Sequence, residues 1–104
     1  MRYAYPARLK ATPSTILATF RDLPEAIAEG KTRAAAIEDA AACLDAALWF
    51  RLKGSDPIPE PSPLKRGEVL IELPPSDAAK IAFAAAFRDS GLSRLGFATQ
   101  LGID

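Results

Sequence analysis

The side chains of this 104-residue chain that could do chemistry are few, and composition alone removes the most reactive arrangements. There is no histidine, so imidazole bases, histidine metal ligands and every Ser-His or Cys-His dyad are excluded. The single cysteine, Cys43, can form neither an internal disulfide nor a cysteine-based zinc site. Its alanine-rich surroundings read as those of a small core residue. Carboxylates remain. Asp22, Glu38, Asp39 and Asp45 lie early in the chain, and converging carboxylates could hold two divalent cations for phosphodiester hydrolysis. Such a site needs an acid on the first strand aimed at acids on a covering helix, and residues 2–11 contain none. Glu38, Asp39 and Asp45 therefore read as a solvated helix face. Glycine-rich phosphate loops and serine-nucleophile motifs are missing as well. The expectation is a protein without catalytic residues, cofactor or metal.

The elements that would position these residues follow from periodicity. Residues 2–11, RYAYPARLKA, alternate, with Tyr3, Tyr5, Ala7, Leu9 and Ala11 on one side and Arg2, Ala4, Pro6, Arg8 and Lys10 on the other. Period two with aromatics predicts a half-buried strand with a wet face, and Pro6, lacking an N–H, predicts an edge position or a bulge. Thr12-Pro13-Ser14 is a turn, and residues 15–21 alternate again through Ile16, Ala18 and Phe20. Residues 26–30, AIAEG, make a short third strand closed by Gly30. From Thr32 to Lys53 the period changes: Ile37, Ala41, Leu44, Leu48 and Leu52 form one helical stripe, with Thr32 as N-cap and Gly54 as stop. About a fifth of all residues are alanine, which favours helix and lets helix faces pack closely.

Residues 55–66, SDPIPEPSPLKR, hold four of the nine prolines and predict an extended linker or strap. EVLIELP, residues 68–74, is a strand with Val69, Ile71 and Leu73 on one face and Leu70 on the other, as expected of a buried or oligomer-interface strand. Ser76 then caps a helix over 77–90. In the tail, Leu92 and Phe97 form a hydrophobic staple around the N-cap Ser93. Ala98 and Leu101 continue the inner face, Gly102 ends the helix, and Asp104 is an N-cap for a following one. This spacing is similar to the supporting helix and turn of a helix-turn-helix, whose reading helix would lie beyond Asp104. A plain C-terminal helix and a ribbon-helix-helix are the other readings of residues 68–104. Against the ribbon, VLIEL offers bases no Lys, Arg, Asn or Gln.

The fold class is therefore α+β, a small antiparallel sheet covered by one long helix, followed by a helical segment like an incomplete helix-turn-helix. The expected units are 1–54, a β-β-β-α unit; 55–67, the strap; 68–75, a strand completing the sheet or forming a dimer ribbon; and 76–104, the helical region. Net charge is zero, with 13 basic and 13 acidic residues, and no part has the basic surplus of an autonomous nucleic-acid binder. With neither a signal-length nor a membrane-length apolar run, the expected compartment is the cytoplasm, with no membrane partner.

YPARLKA as first strand, TFRDLPEAIAEGKT leading into AAAIEDAAACLDAALWFRLKGSDPIPEPS, and EVLIELPPSDAAKIAFAAAFRDSGLSRLGFATQLGID together resemble the HicB antitoxins of bacterial toxin–antitoxin pairs over essentially the whole length. The DLP passage, the long Ala/Leu helix and the PIPEPS strap are jointly the specific features. Two departures stand out: Pro13-Ser14 where the family often has Gly-Gly, and Glu25-Ala26 where it has Gly-Cys or a similar pair. The resemblance implies a degenerate, partial ribonuclease H-like domain that blocks a small HicA-like toxin ribonuclease. It also implies a C-terminal region related to operon-repressing DNA-binding domains, assembly as homodimer or homotetramer, and an antitoxin truncated at Asp104. An orphan DNA-binding regulator without a toxin is the alternative. Toxin contact is expected on the wet strand face, at Arg8, Lys10 and Arg21, with Asp22 and Glu25. Support for a DNA reader falls on Leu92, Ser93, Phe97, Ala98, Leu101, Gly102 and Asp104, and the oligomer interface on Val69, Leu70, Ile71 and Leu73.

Overall fold

A computed structural model describes residues 3–89. The element order is β1 (Ala4–Ala11), β2 (Ile16–Phe20), β3 (Ile27–Gly30), α1 (Arg33–Lys53), β4 (Glu68–Glu72) and α2 (Pro75–Asp89). The strands form one antiparallel sheet in the order β3-β2-β1-β4, with the helices on one face. The fold is thus α+β, as the periodicities require.

Pro6 does not put β1 at an edge: the strand is central, between β2 and β4. The ladder geometry explains why. The Leu73 amide donates to the Tyr3 carbonyl, so along the same register Tyr5 and Ala7 turn their peptide groups to β4, while Pro6 and Arg8 turn theirs to β2. The β1–β2 pairing stops at Ala7 opposite Phe20, so the N–H that Pro6 lacks falls just beyond its end. No ladder bond is lost.

Alanine and glycine bring α1 close to the sheet. Its buried residues are Ala36, Ala40, Leu44, Ala47 and Leu48, a stripe rotated from the predicted one, with Ile37, Ala41 and Leu52 half-buried at its flank. They rest on Ala7, Ala18, Phe20 and Ala28 of the sheet. A Cβ on Gly30 would stand 2.4 Å from the Ala36 nitrogen and 2.6 Å from the Ala35 carbonyl carbon, so only glycine admits the helix start there. Thr32 caps that start, its hydroxyl accepting from the Ala35 amide at 3.1 Å. At the other end the Ser55 and Asp56 amides turn back to the Leu52 and Arg51 carbonyls. The left-handed residue of that turn is Ser55, with φ 61°, while Gly54 keeps a negative φ of −85°.

On the β4 side, Ile71, Leu73 and Ile81 complete the core with Tyr3 and Tyr5. The helix after β4 begins two residues earlier than its expected first residue. Pro75 is its first residue, and the Ala78 amide reaches back to the Pro74 carbonyl. Proline suits that position because the first turn has no partner for its N–H.

Candidate interaction surface

The five residues expected to touch a partner divide into two groups. Arg8 and Lys10 lie on the sheet face away from the helices, in register with Thr19 and Leu17 of β2, and both are exposed. Arg21, Asp22 and Glu25 also bond to the chain's own strap or to the residues that hold it. The Asp22 carboxylate accepts from the Ser62 amide at 2.8 Å and the Ser62 hydroxyl at 2.5 Å. Arg21 pairs with Glu68 at 3.0 Å and donates to the Pro63 carbonyl. Glu25 pairs with Arg51 at 2.6 and 3.0 Å, and Arg51 donates onward to the Pro57 carbonyl at 3.1 Å.

A proline-rich segment needs such donors. Its ring nitrogens carry no hydrogen, so it cannot pair as a strand, yet each proline keeps a carbonyl that must find a partner. Three of those carbonyls are met by long donors from the folded body: Pro57 by Arg51, Pro59 by the Tyr5 hydroxyl at 2.7 Å, and Pro63 by Arg21. Ser62 supplies the one amide in that stretch that Asp22 can grip. The DLP and PIPEPS passages therefore touch, through Asp22 and Ser62. Arg51, Tyr5 and Ser62 are the strap fasteners that the sequence reading missed; the alternating prolines are the signal that long donors must exist.

The fastenings shift proton affinities accordingly. The Arg51 hydrogen bond holds Glu25 below the usual carboxylate range, and the Arg21 hydrogen bond does the same for Glu68. Burial first, then the nearby Tyr3, Asp22 and Glu60 groups, pushes the Tyr5 phenol upward, so it stays a donor to Pro59.

The acids once weighed as metal ligands are dispersed. Among the described residues, no three of His, Cys, Asp and Glu stand close enough to hold a metal ion. Glu38 is exposed, while Asp39 is more than a solvated residue, because it accepts from the Glu29 amide at 3.0 Å. Asp45 is half-buried rather than solvated, with Oδ1 covered and unpartnered.

Of the expected oligomer-interface residues, Ile71 and Leu73 are in this chain's own core and Val69 is half-buried against it. β4 lies along β1 of the same chain. Leu70 alone of the four looks out, 45% exposed on the open sheet face. The register that turns Leu73 toward β1 turns the Leu70 peptide outward, and its N–H and C=O have no partner among the described residues. Leu92, Ser93, Phe97, Ala98, Leu101, Gly102 and Asp104 lie outside the described residues. No helix among the described residues is long and apolar enough to cross a membrane.

A sheet face exposed at Arg8, Lys10 and Thr19, a strap fastened by charged side chains and a sheet edge with an outward peptide define a small α+β domain. The chain matches the family described as the HicB-like antitoxin of bacterial toxin–antitoxin systems over residues 4–82, from the start of β1 into α2. It is similar to the antitoxin HicB of Escherichia coli strain K12, 35% identical over 99 residues that make up 94% of this chain and 72% of that protein. Two Photorhabdus laumondii proteins are also similar. One, antitoxin HicB 1, is 35% identical over 82% of this chain and 54% of its own length; the other, antitoxin HicB 2, is 32% identical over 94% and 69%. The chain belongs to the HicB-like antitoxin family.

Proposed function

We propose that this chain is the antitoxin of a toxin–antitoxin pair and that it silences a HicA-like toxin ribonuclease by covering the toxin's RNA-binding surface. The observation that carries this reading is the family match over residues 4–82, which takes in the whole sheet, α1 and the strap. The open sheet face supplies room for a partner, with Arg8 and Lys10 as its contacts. Arg21, Asp22 and Glu25 act behind it by fixing the strap. Occlusion needs no catalytic residue in the antitoxin, in keeping with a first strand that carries no acid. Second copies of the chain associate through the β4 edge, where the Leu70 peptide can extend the sheet. Residues 76–104 belong to a region related to DNA-binding domains that repress the protein's own operon, with operator DNA as its partner.

The test is a calorimetric titration of this chain against the HicA-like protein encoded beside it, with RNA cleavage followed in parallel. Tight binding with suppressed cleavage is expected. Absence of binding together with a gel shift on the chain's own promoter would replace this reading with that of an orphan regulator.

A further inference from the structure

The border between β3 and α1 holds a groove of about 360 Å³ lined by Glu25, Ala26, Ile27, Cys43, Ala46, Ala47 and Phe50. Its lining is mostly apolar, and two of its large side chains face water: Ile27 is 61% exposed and Phe50 75%. Ile27 also shares the open sheet face with Thr19 and Arg8, so the groove is continuous with that face.

Side chains of α1 occupy part of the edge beside the groove. With Ala28 and Gly30 turned to β2, the outward peptide groups of β3 belong to Ile27 and Glu29. The Cys43 thiol lies 3.6 Å from the Ile27 carbonyl, and Asp39 accepts from the Glu29 amide at 3.0 Å. An occupant therefore meets this border chiefly through side chains. Its charge is also constrained. Glu29 and Asp39 are exposed along this border, and Glu25 stands at its other end. Against them are Arg51, which is bonded to Glu25, and Lys53, one turn beyond Phe50. With Glu25 neutralised by Arg51, the carboxylates of Glu29 and Asp39 on one border of an apolar floor fit an apolar side chain flanked by Lys or Arg.

We infer that the β3–α1 groove anchors the toxin, taking an apolar side chain from the edge of its basic RNA-binding surface. This rests on the antitoxin reading above. A ribonuclease holds RNA with cationic groups, and carboxylates beside an apolar groove can meet such groups at the edge of that surface, while Arg8 and Lys10 contact the toxin elsewhere on the sheet face. Exposed apolar anchors rimmed by charge are also where interface energy concentrates.

The experiment titrates the toxin protein encoded beside this chain with the wild-type chain, Phe50→Ser, Ile27→Thr and Glu29→Lys, with Phe83→Ser as an equally exposed apolar control on α2. Phe50→Ser and Glu29→Lys are each expected to weaken binding at least tenfold and Ile27→Thr by several fold, with Phe83→Ser unchanged. Circular dichroism should show all variants folded, since every substituted side chain is exposed. Cys43, the chain's single cysteine, provides a second reading: toxin should slow its alkylation by a maleimide at least tenfold. If the wild-type chain binds while the groove variants bind equally well and Cys43 stays unprotected, the groove assignment is overturned and the antitoxin reading stands. If the wild-type chain does not bind, both fall.

Discussion

At the β3 edge of the sheet, a helix does the closing: Gly30 lets the α1 backbone approach, and Asp39 and Cys43 meet the outward peptide groups of Glu29 and Ile27. At the β4 edge no helix among the described residues takes that position. The Leu70 peptide faces outward, and order comes from the strap that arrives just before the strand, tied by Arg21 to Glu68 and by Asp22 to Ser62. One edge is sealed by backbone proximity and the other is held by charged fasteners. The difference teaches that the first presents mainly side chains, whereas the second presents an outward backbone peptide among the described residues.

The sharpest way to break this contrast is at Gly30. Gly30→Ala places a methyl against peptide atoms of Ala35 and Ala36, which cannot move without lifting the helix start. A loss of about 3 kcal/mol in urea unfolding is expected, at the upper end of ordinary overpacking costs. A loss under about 0.5 kcal/mol would show that the β3 side is not close-packed.

On the strap side, Asp22→Ala removes both acceptors from Ser62 and should cost about 2 kcal/mol. Cleavage within residues 55–66 by a nonspecific protease should speed up before global unfolding does. Equal cleavage rates in the two proteins would mean that the strap is held elsewhere.

Acid should loosen the same side by titration. Glu25 and Glu68 are held below their ordinary range in the folded chain, each chiefly by an arginine hydrogen bond. Their contribution is therefore complete at neutral pH and is lost as pH falls below about 4.3, the ordinary glutamate value, through the lowered folded one. Urea midpoints measured at pH 7, 5 and 3 should decline mainly in the last interval, and Arg51→Met should remove part of that decline. A midpoint that held steady to pH 3 would count against both pairs as fasteners.

Smaller effects separate the two edges themselves. Asp39→Ala leaves the Glu29 amide to water at an exposed site and should cost about 1 kcal/mol. Leu70→Pro deletes an outward N–H that no described residue uses, so stability should change within about 0.5 kcal/mol. Sedimentation should nonetheless show self-association weakened by Leu70→Pro and unaffected by Asp39→Ala; the reverse pattern would exchange the roles of the two edges.

Periodicity was enough to place the elements, because alternation in YAYPARL and the 3.6-residue stripe of α1 are properties of consecutive residues. The same locality made Thr32 legible as a cap. Gly54 was legible as the helix stop, but the left-handed turn at Ser55 was not, since which residue turns depends on how the next segment leaves. Pro6 pointed to an edge because sequence shows a missing N–H but not that the neighbouring ladder ends one residue short of needing it. Arg21, Asp22 and Glu25 were legible as a charged cluster, yet their partners lie 26 to 47 residues away. No local pattern carries that pairing.

By itself, then, the sequence determined the strands, the long helix, the proline strap and the absence of histidine chemistry, all of which follow from residue type and spacing. Tertiary structure alone decided that β1 is central, that three expected contact residues fasten the strap, and that Asp39 and Cys43 meet peptide groups of one edge while the Leu70 peptide faces outward on the other, without a partner among the described residues. The physical reason is that each of these depends on which distant backbone group arrives within hydrogen-bonding distance, and that is set when the sheet and helix pack.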